Sequence, residues 1–169
     1  MDRRPAPSEY APFYAGYVAA VPAEALAGTL RAQPDALGRL LDGAEADAAY
    51  APGKWTVRQV LVHVADTERV FAYRALCFAR GDATPLPSFD ENAWVAAAVV
   101  SGRTLAQTLA EFRAVRAATV ALVDGLPAAA WDRAGTASGN PMTVRGAAFV
   151  IAGHTAHHMA VLRDRYGLG

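Results

Sequence analysis

Long runs of Ala, Leu, Val and Arg, separated by Pro and Gly, constrain the fold of this chain most strongly. The alternation of apolar and polar residues that marks a half-buried strand is nearly absent. The sequence therefore predicts an all-α fold. Four long helical segments with apolar stripes are expected to form a four-helix bundle, in which binding sites are built from side chains on facing helices. We expect one domain over residues 1–169, because a single core can grow to roughly 250 residues.

Proline and threonine mark where the long helices are expected to begin or break. A first helix is predicted over residues 22–41, with a kink or break at Pro34 because proline removes a backbone donor. Three hydroxyl side chains precede the other long segments and are predicted N-caps: Thr56, Thr104 and Thr143.

Two connections between these helices are distinctive. Residues 83–90 form a Pro-rich connection that is followed by a short helix through Trp94 and Val99, and the whole connection around residues 81–103 is long enough to cross the bundle. A segment rich in Gly and Ser precedes Thr143, and we expect it to be a loop.

Charge and composition narrow the classes of partner. Lys plus Arg is 16 and Asp plus Glu is 16, so no positive excess exists to drive nucleic-acid binding by counterion release. Residues 144–162 are mostly apolar, but this segment contains an arginine and three histidines, which are expensive inside a bilayer. We therefore expect no nucleic-acid or membrane partner. The single cysteine, Cys77, permits no internal disulfide, which is typical of a cytoplasmic protein.

Three of the four histidines fall within five positions near the C-terminus. In a helix, His154 and His158 differ by about 40° in direction and lie about 6 Å apart along the axis, so both imidazoles can reach one ion. Apolar residues on the same face place both rings in the interior of the bundle. His157 points about 60° away from His154. It is expected to flank the site or to be exposed, although it could replace either neighbour.

A third ligand is needed, because catalytic zinc-type sites usually have three protein ligands and one open position. His63, in the second long helix, is the candidate, and a hydrogen-bonded core histidine is the alternative interpretation. Asp66 lies on a nearby face and could orient a ligand imidazole or act as a base, although such carboxylates often meet water or arginine. Cys77 lies about 21 Å further along that helix and is excluded as a ligand.

Four short motifs occur in one order through most of the chain: APGKWTV at 51–57, HVADTER at 63–69, PLPSFDE at 85–91 and GHTAHH at 153–158. In this order and spacing they resemble the DinB-like family, also called the YfiT-like metal-dependent hydrolases. The resemblance implies an up-down-down-up four-helix bundle, commonly a homodimer, with a divalent metal held by His63, His154 and His158.

The same resemblance suggests which reactions to consider. Related proteins include metal-dependent thiol transferases, such as bacillithiol transferases, and mycothiol-dependent maleylpyruvate isomerase. The expected partner is therefore a small-molecule substrate, with a low-molecular-weight thiol as a candidate second reactant. The position after the first C-terminal histidine is often acidic in such sequences. Here it is Thr155, so no acid–base role is expected there.

Three neutral histidines leave a divalent ion its full charge, which lowers the pKa of bound water or thiol. Hydrolysis and thiol transfer both follow from that property. Zinc or nickel is the expected metal, with iron as a further candidate, because imidazole binds all three. The carboxylates expected near the open position are Asp66, Asp90 and Glu91. The alternative from another class is a non-catalytic, stress-associated helical module in which the metal is structural or sensed, or the histidines only pack.

Overall fold

A computed structural model describes residues 3–169. The helices and strands in this range are α1 Ala15–Ala19, α2 Leu26–Leu40, α3 Val57–Ala79, α4 Glu91–Ala97, α5 Leu105–Asp124, β1 Ala134–Ala137, β2 Asn140–Thr143 and α6 Val144–Tyr166. The four long helices form a bundle, as predicted, because α2 packs on α5 and α6 and α3 packs on the same two helices. No helix within residues 3–169 combines the length and apolar character needed to cross a membrane.

All three predicted N-cap threonines begin long helices. The side-chain oxygens of Thr56, Thr104 and Thr143 each accept a hydrogen bond from the backbone N–H three residues later. The side chains of Gln59 and Gln107 accept hydrogen bonds from the backbone N–H groups of Thr56 and Thr104, which completes two capping boxes. Because these caps satisfy otherwise unpaired donors, they fix where α3, α5 and α6 start.

The first long helix differs from its prediction at two points. It begins at Leu26 rather than at Pro22, and of the kink or break expected at Pro34 the break is not found, because the helix continues past that residue. A proline inside a helix costs about 3 kcal/mol. Leu30 and Leu37 lie on either side of Pro34 and are both buried. Burying two leucines contributes about 3–6 kcal/mol, enough to offset that cost.

A two-stranded hairpin occupies the Gly- and Ser-rich segment that the sequence predicts as a loop. Strand β1 pairs antiparallel with β2 through a turn at Ser138 and Gly139, whose φ angles are 53° and 75°. Positive φ at both turn residues is the requirement of a type I′ hairpin turn. The N–H of Leu86 donates to the carbonyl of Thr136, and the N–H of Ser138 donates to that of Leu86. The hairpin is thereby attached to the crossing connection before α4.

A buried ionic network connects the four long helices. Arg116 of α5 donates to both carboxylate oxygens of Glu68 on α3, at 2.7 and 2.8 Å. It also donates to Gln33 and the carbonyl of Leu30 on α2, and to the hydroxyl of Thr155 on α6. All five guanidinium hydrogens therefore have acceptors. Because removing one partner would leave a charge uncompensated in the interior, the network fixes how the helices sit against each other.

Gly153 allows α1 to lie directly against α6. A Cβ atom at position 153 would be 1.9 Å from the carbonyl oxygen of Tyr17, so only glycine permits this approach. The approach places the Tyr17 ring edge-on to the His154 ring, with centroids 5.4 Å apart. The aromatic N-terminal segment is thus positioned beside the C-terminal histidines.

We expect Gly153→Ala to lower the free energy of unfolding by about 1–3 kcal/mol, because the added methyl group must displace the backbone of α1. Urea denaturation followed by circular dichroism measures this change. The matched control is Gly28→Ala in α2, where no described atom beyond the neighbouring residues and backbone of its own helix lies within 4 Å of the new methyl group. That variant should be as stable as the parent or more stable, since alanine favours a helix. Equal stability of the two variants would contradict the packing argument.

Candidate metal centre

Three histidine side chains from two helices meet inside the bundle. His63 comes from α3, and His154 and His158 come from α6. The Nε2 atom of His154 lies 3.0 Å from Nε2 of His63 and 3.1 Å from Nε2 of His158. One ring nitrogen from each histidine lies within 4.8 Å of the other two. The structure therefore brings together the three side chains that the sequence singles out as candidate metal ligands.

Direct hydrogen bonds cannot account for both contacts of His154. A neutral imidazole nitrogen carries either one hydrogen or one lone pair, so Nε2 makes one such bond. A cation accepts a lone pair from every ring at once. Two nitrogens that bind one ion at about 2.1 Å, with an angle of about 90–110° between them, lie about 3.0–3.4 Å apart. The two separations that involve His154, 3.0 and 3.1 Å, fit that range, and the ligand nitrogens of His63 and His158 lie within 4.8 Å of each other.

Burial keeps the three imidazole rings neutral. Desolvation lowers the pKa of His63 to about 4, an effect that nearby Glu91 partly opposes. Desolvation, reinforced by the neighbouring histidines, lowers the pKa of His158 to about 3 and that of His154 well below its ordinary value. Neutral imidazole is the form that binds metals, so at pH 7 the rings offer lone pairs without first losing a proton.

The outer nitrogens of these rings have different surroundings. The Thr67 hydroxyl lies 3.5 Å from Nδ1 of His63, one helical turn along α3, and the Trp55 ring lies 4.7 Å from the His63 ring between centroids. Nδ1 of His158 is buried and has no hydrogen-bond partner among residues 3–169. Metal-binding histidines usually donate their outer N–H to a partner, and the described residues offer none to this atom.

An aromatic cavity of about 360 Å³ adjoins the histidines. Most of its apolar wall consists of aromatic rings: Phe13, Tyr14, Tyr17, Trp55, Phe71 and Phe89. The polar side chains that line it besides the histidines are Thr67, Ser88, Glu91 and Ser138. A concave, mostly apolar site with a few polar groups is the usual form of a small-molecule site.

The expected orientation of Asp66 toward the ligand imidazoles is not found. Its carboxylate accepts a hydrogen bond at 2.9 Å from Arg69, which also binds Glu111 on α5. Three residues along a helix turn the side chain about 60° away from His63, and a nearby arginine holds it there. Asp90 caps α4 by accepting hydrogen bonds from backbone N–H groups of its first turn. Of the three carboxylates considered, Glu91 is the one that lines the cavity.

Other sequence-derived residues are placed as follows. His157 is exposed at the cavity edge, with its ring 5.3 Å from Tyr17 and 5.1 Å from His158, and so flanks the site. Cys77 is buried in the apolar core, outside the histidine cluster, as the helix spacing predicts.

Sequence reasoning missed Ser138 and the cavity role of the N-terminal rings. The Ser-Gly turn signal was present, but a turn signal does not reveal what its side chain faces.

Acid should destabilise the chelator-treated protein, because its buried histidines resist protonation. Above the ordinary histidine pKa of 6.5, folded and unfolded chains are both neutral at these positions. As pH falls from 6.5 toward 4, the unfolded chain takes up protons that the folded rings do not, so the free energy of unfolding falls by a few kcal/mol, as an order of magnitude. Urea denaturation between pH 7 and pH 4 measures this loss. His63→Asn should show a weaker pH dependence, and an unchanged dependence would contradict the assignment.

Comparisons with known proteins agree with this architecture. The model of the DinB superfamily matches residues 25–162. No curated protein matches the chain. Among solved structures, YfiT from Bacillus subtilis, described as "a probable metal-dependent hydrolase with an unusual four-helix bundle topology", aligns with a TM-score of 0.76 and 21% identity, over 99% of this chain and 95% of that one. The likeness confirms the predicted up-down-down-up bundle. Since the family model covers most of its length, the chain belongs to the DinB superfamily.

Proposed function

We propose that His63, His154 and His158 bind a divalent metal ion, and that the chain is a metal-dependent hydrolase of a small molecule. The observation that carries this proposal is the pair of contacts, at 3.0 and 3.1 Å, that the Nε2 atom of His154 makes beside an aromatic cavity. Membership of the DinB superfamily and the described character of YfiT support it.

The proposed metal is zinc or nickel, with iron as a further candidate, because neutral imidazole binds each of them. A divalent ion held by three neutral ligands supplies positive charge that lowers the pKa of a water or thiol beside it. Three protein ligands leave at least one position open, and the adjoining cavity is where a substrate reaches it.

The chain's own residues supply the remaining functions. Glu91 is the general base in this proposal, because it is the carboxylate among the residues that line the cavity. Thr67 helps to orient the His63 ring from one turn away. The aromatic wall excludes water from the substrate body, which strengthens the electrostatic interactions of the site.

Thiol transfer is a second candidate, favoured by a second cavity. This cavity, of about 320 Å³, shares Trp55, His157 and His158 with the first, and Lys54 is among its other lining residues. Hydrolysis requires one organic reactant and water, whereas thiol transfer requires two organic reactants. Two cavities that meet at His158 fit the second requirement, and Lys54 offers a cation for the carboxylate of a low-molecular-weight thiol.

Three further expectations stay predictions. These are a single domain over residues 1–169, a homodimer and a cytoplasmic location. A non-catalytic module with a structural or sensed metal is the alternative to an enzyme. Stoichiometric metal without turnover of esters, amides or electrophile–thiol pairs would favour that alternative.

We expect His158→Ala to abolish stoichiometric metal binding while retaining most of the helical circular dichroism signal, because two imidazoles hold an ion much less tightly than three. Elemental analysis of untagged, dialysed protein measures the metal content. Two matched controls should keep the metal: His157→Ala, which removes the exposed neighbouring imidazole, and Cys77→Ser in the core. Full occupancy in His158→Ala would remove the proposed ligand role, and metal loss in Cys77→Ser would show that the ligand set is wrong.

Glu91→Gln should retain the metal but lower kcat by about 10²–10⁴, the usual contribution of a general base. The measurement is steady-state kinetics on the first substrate found in a screen of esters, amides and electrophile–thiol pairs. Asp66→Asn is the matched control, because its carboxylate binds Arg69 rather than the cavity. Equal loss of kcat in both variants would contradict a specific role for Glu91.

A further inference from the structure

Arg74 differs from the other buried arginines of residues 3–169. Four arginines in that range are buried. Three of them have a carboxylate oxygen at 2.8, 2.7 and 2.8 Å: Arg58 with Asp47, Arg116 with Glu68 and Arg145 with Asp132. Arg74 is 1% exposed and forms no ion pair with any described residue. Within residues 3–169 it is therefore a buried positive charge without a counter-charge.

Only some of the hydrogen-bond donors of the Arg74 guanidinium group have acceptors among residues 3–169. Its Nη2 donates to the carbonyl of Pro87 at 2.8 Å and to the hydroxyl of Ser138 at 2.9 Å. The guanidinium carbon lies 4.8 Å from the centroid of the Phe71 ring. Nη1 is buried and has no hydrogen-bond partner among residues 3–169. Because an uncompensated charge in the interior costs several kcal/mol, a nearby anion would be bound favourably.

The neighbours of Arg74 form one wall of the aromatic cavity. Phe71 and Ser138 both line it, and so does Ser88, which follows Pro87. The Ser138 oxygen accepts a hydrogen bond from Arg74, so its own hydrogen is free to donate into the cavity. Donation from a cation polarises that hydroxyl and makes it a stronger donor.

We propose that Ser138, with Arg74 bound behind it, forms the carboxylate-recognition end of the cavity, whose ligand is a small molecule with an aromatic body and one carboxylate. Six aromatic rings in the wall fit such a body. One uncompensated cation matches one negative charge, and Glu91 in the same cavity disfavours a dianion such as a phosphate ester. This inference rests on the proposed function in one respect: the proposed metal site is what assigns the reacting end of the ligand to the histidines.

The test compares two probes that share a body and differ in charge: 3-phenylpropanoate and 3-phenylpropanamide. Isothermal titration calorimetry gives their Kd values for the full chain, metal-loaded and chelator-treated. We expect the carboxylate to bind about tenfold more tightly than the amide in both forms. In Arg74→Gln and in Ser138→Gly, the two probes should bind with similar Kd values.

Two variants keep this test independent of misfolding and of general charge effects. Ser138→Gly removes the hydroxyl while favouring the positive φ of the turn, so it should fold even if Arg74→Gln does not. Arg80→Gln, at the exposed end of α3, makes the same change of charge and should retain the carboxylate preference.

The outcomes separate this inference from the proposed function. Equal affinity of the parent protein for both probes would overturn the inference. A carboxylate preference that exists only in the metal-loaded form would place the carboxylate on the metal, which overturns the role of Arg74 and supports the metal site. A preference that persists in His158→Ala without metal, and disappears in Ser138→Gly, would support the inference even if the proposed metal chemistry failed.

Discussion

The packing of α3 against α6 is the contact on which the candidate site depends. It brings His63 to His154 across 91 positions of sequence, with their Nε2 atoms 3.0 Å apart. That distance tolerates little sliding, because one residue of helical translation moves a side chain about 1.5 Å and turns it about 100°. Capping at Thr56 and Thr143 sets where the two helices begin. The network around Arg116 then fixes their positions relative to α2 and α5.

Buried charge has two different roles in this molecule. Three buried arginines, Arg58, Arg116 and Arg145, pair with carboxylates of the chain, and the pair of Arg116 with Glu68 connects two long helices. Arg74 instead meets a carbonyl, a hydroxyl and an aromatic ring beside the cavity. Burial affects the histidines differently from the arginines. Desolvation lowers the pKa of each imidazole, so the rings are neutral and their lone pairs are available. The paired arginines therefore stabilise the bundle, whereas Arg74 and the histidines lie beside the cavity where a ligand would bind.

Sequence reasoning could predict those features that are local or periodic. The caps at Thr56, Thr104 and Thr143 are local, and the shared face of His154 and His158 follows from helical period. The residue type made His63 a candidate ligand. Whether it lies level with His154 depends on how far α3 is shifted along α6, and no local sequence pattern encodes that shift. The expected orientation of Asp66 toward the histidines is not found for a related reason, because its carboxylate accepts a hydrogen bond from the neighbouring Arg69.

Features that depend on tertiary contacts or on very short elements could not be predicted from the sequence. Strands of four residues are too short to show the alternation of apolar and polar residues, so the sequence predicts a loop where the structure has a hairpin.

The contact between Tyr17 and Gly153 gives the cavity walls of unequal stability. The histidines sit on helices of 23 residues, whereas Tyr17 belongs to a helix of five residues. A helix of five residues is not stable by itself, so this wall keeps its place only through packing, of which the Tyr17–Gly153 contact and the burial of Val18 are parts. The aromatic wall and the imidazole cluster therefore depend on different sources of stability.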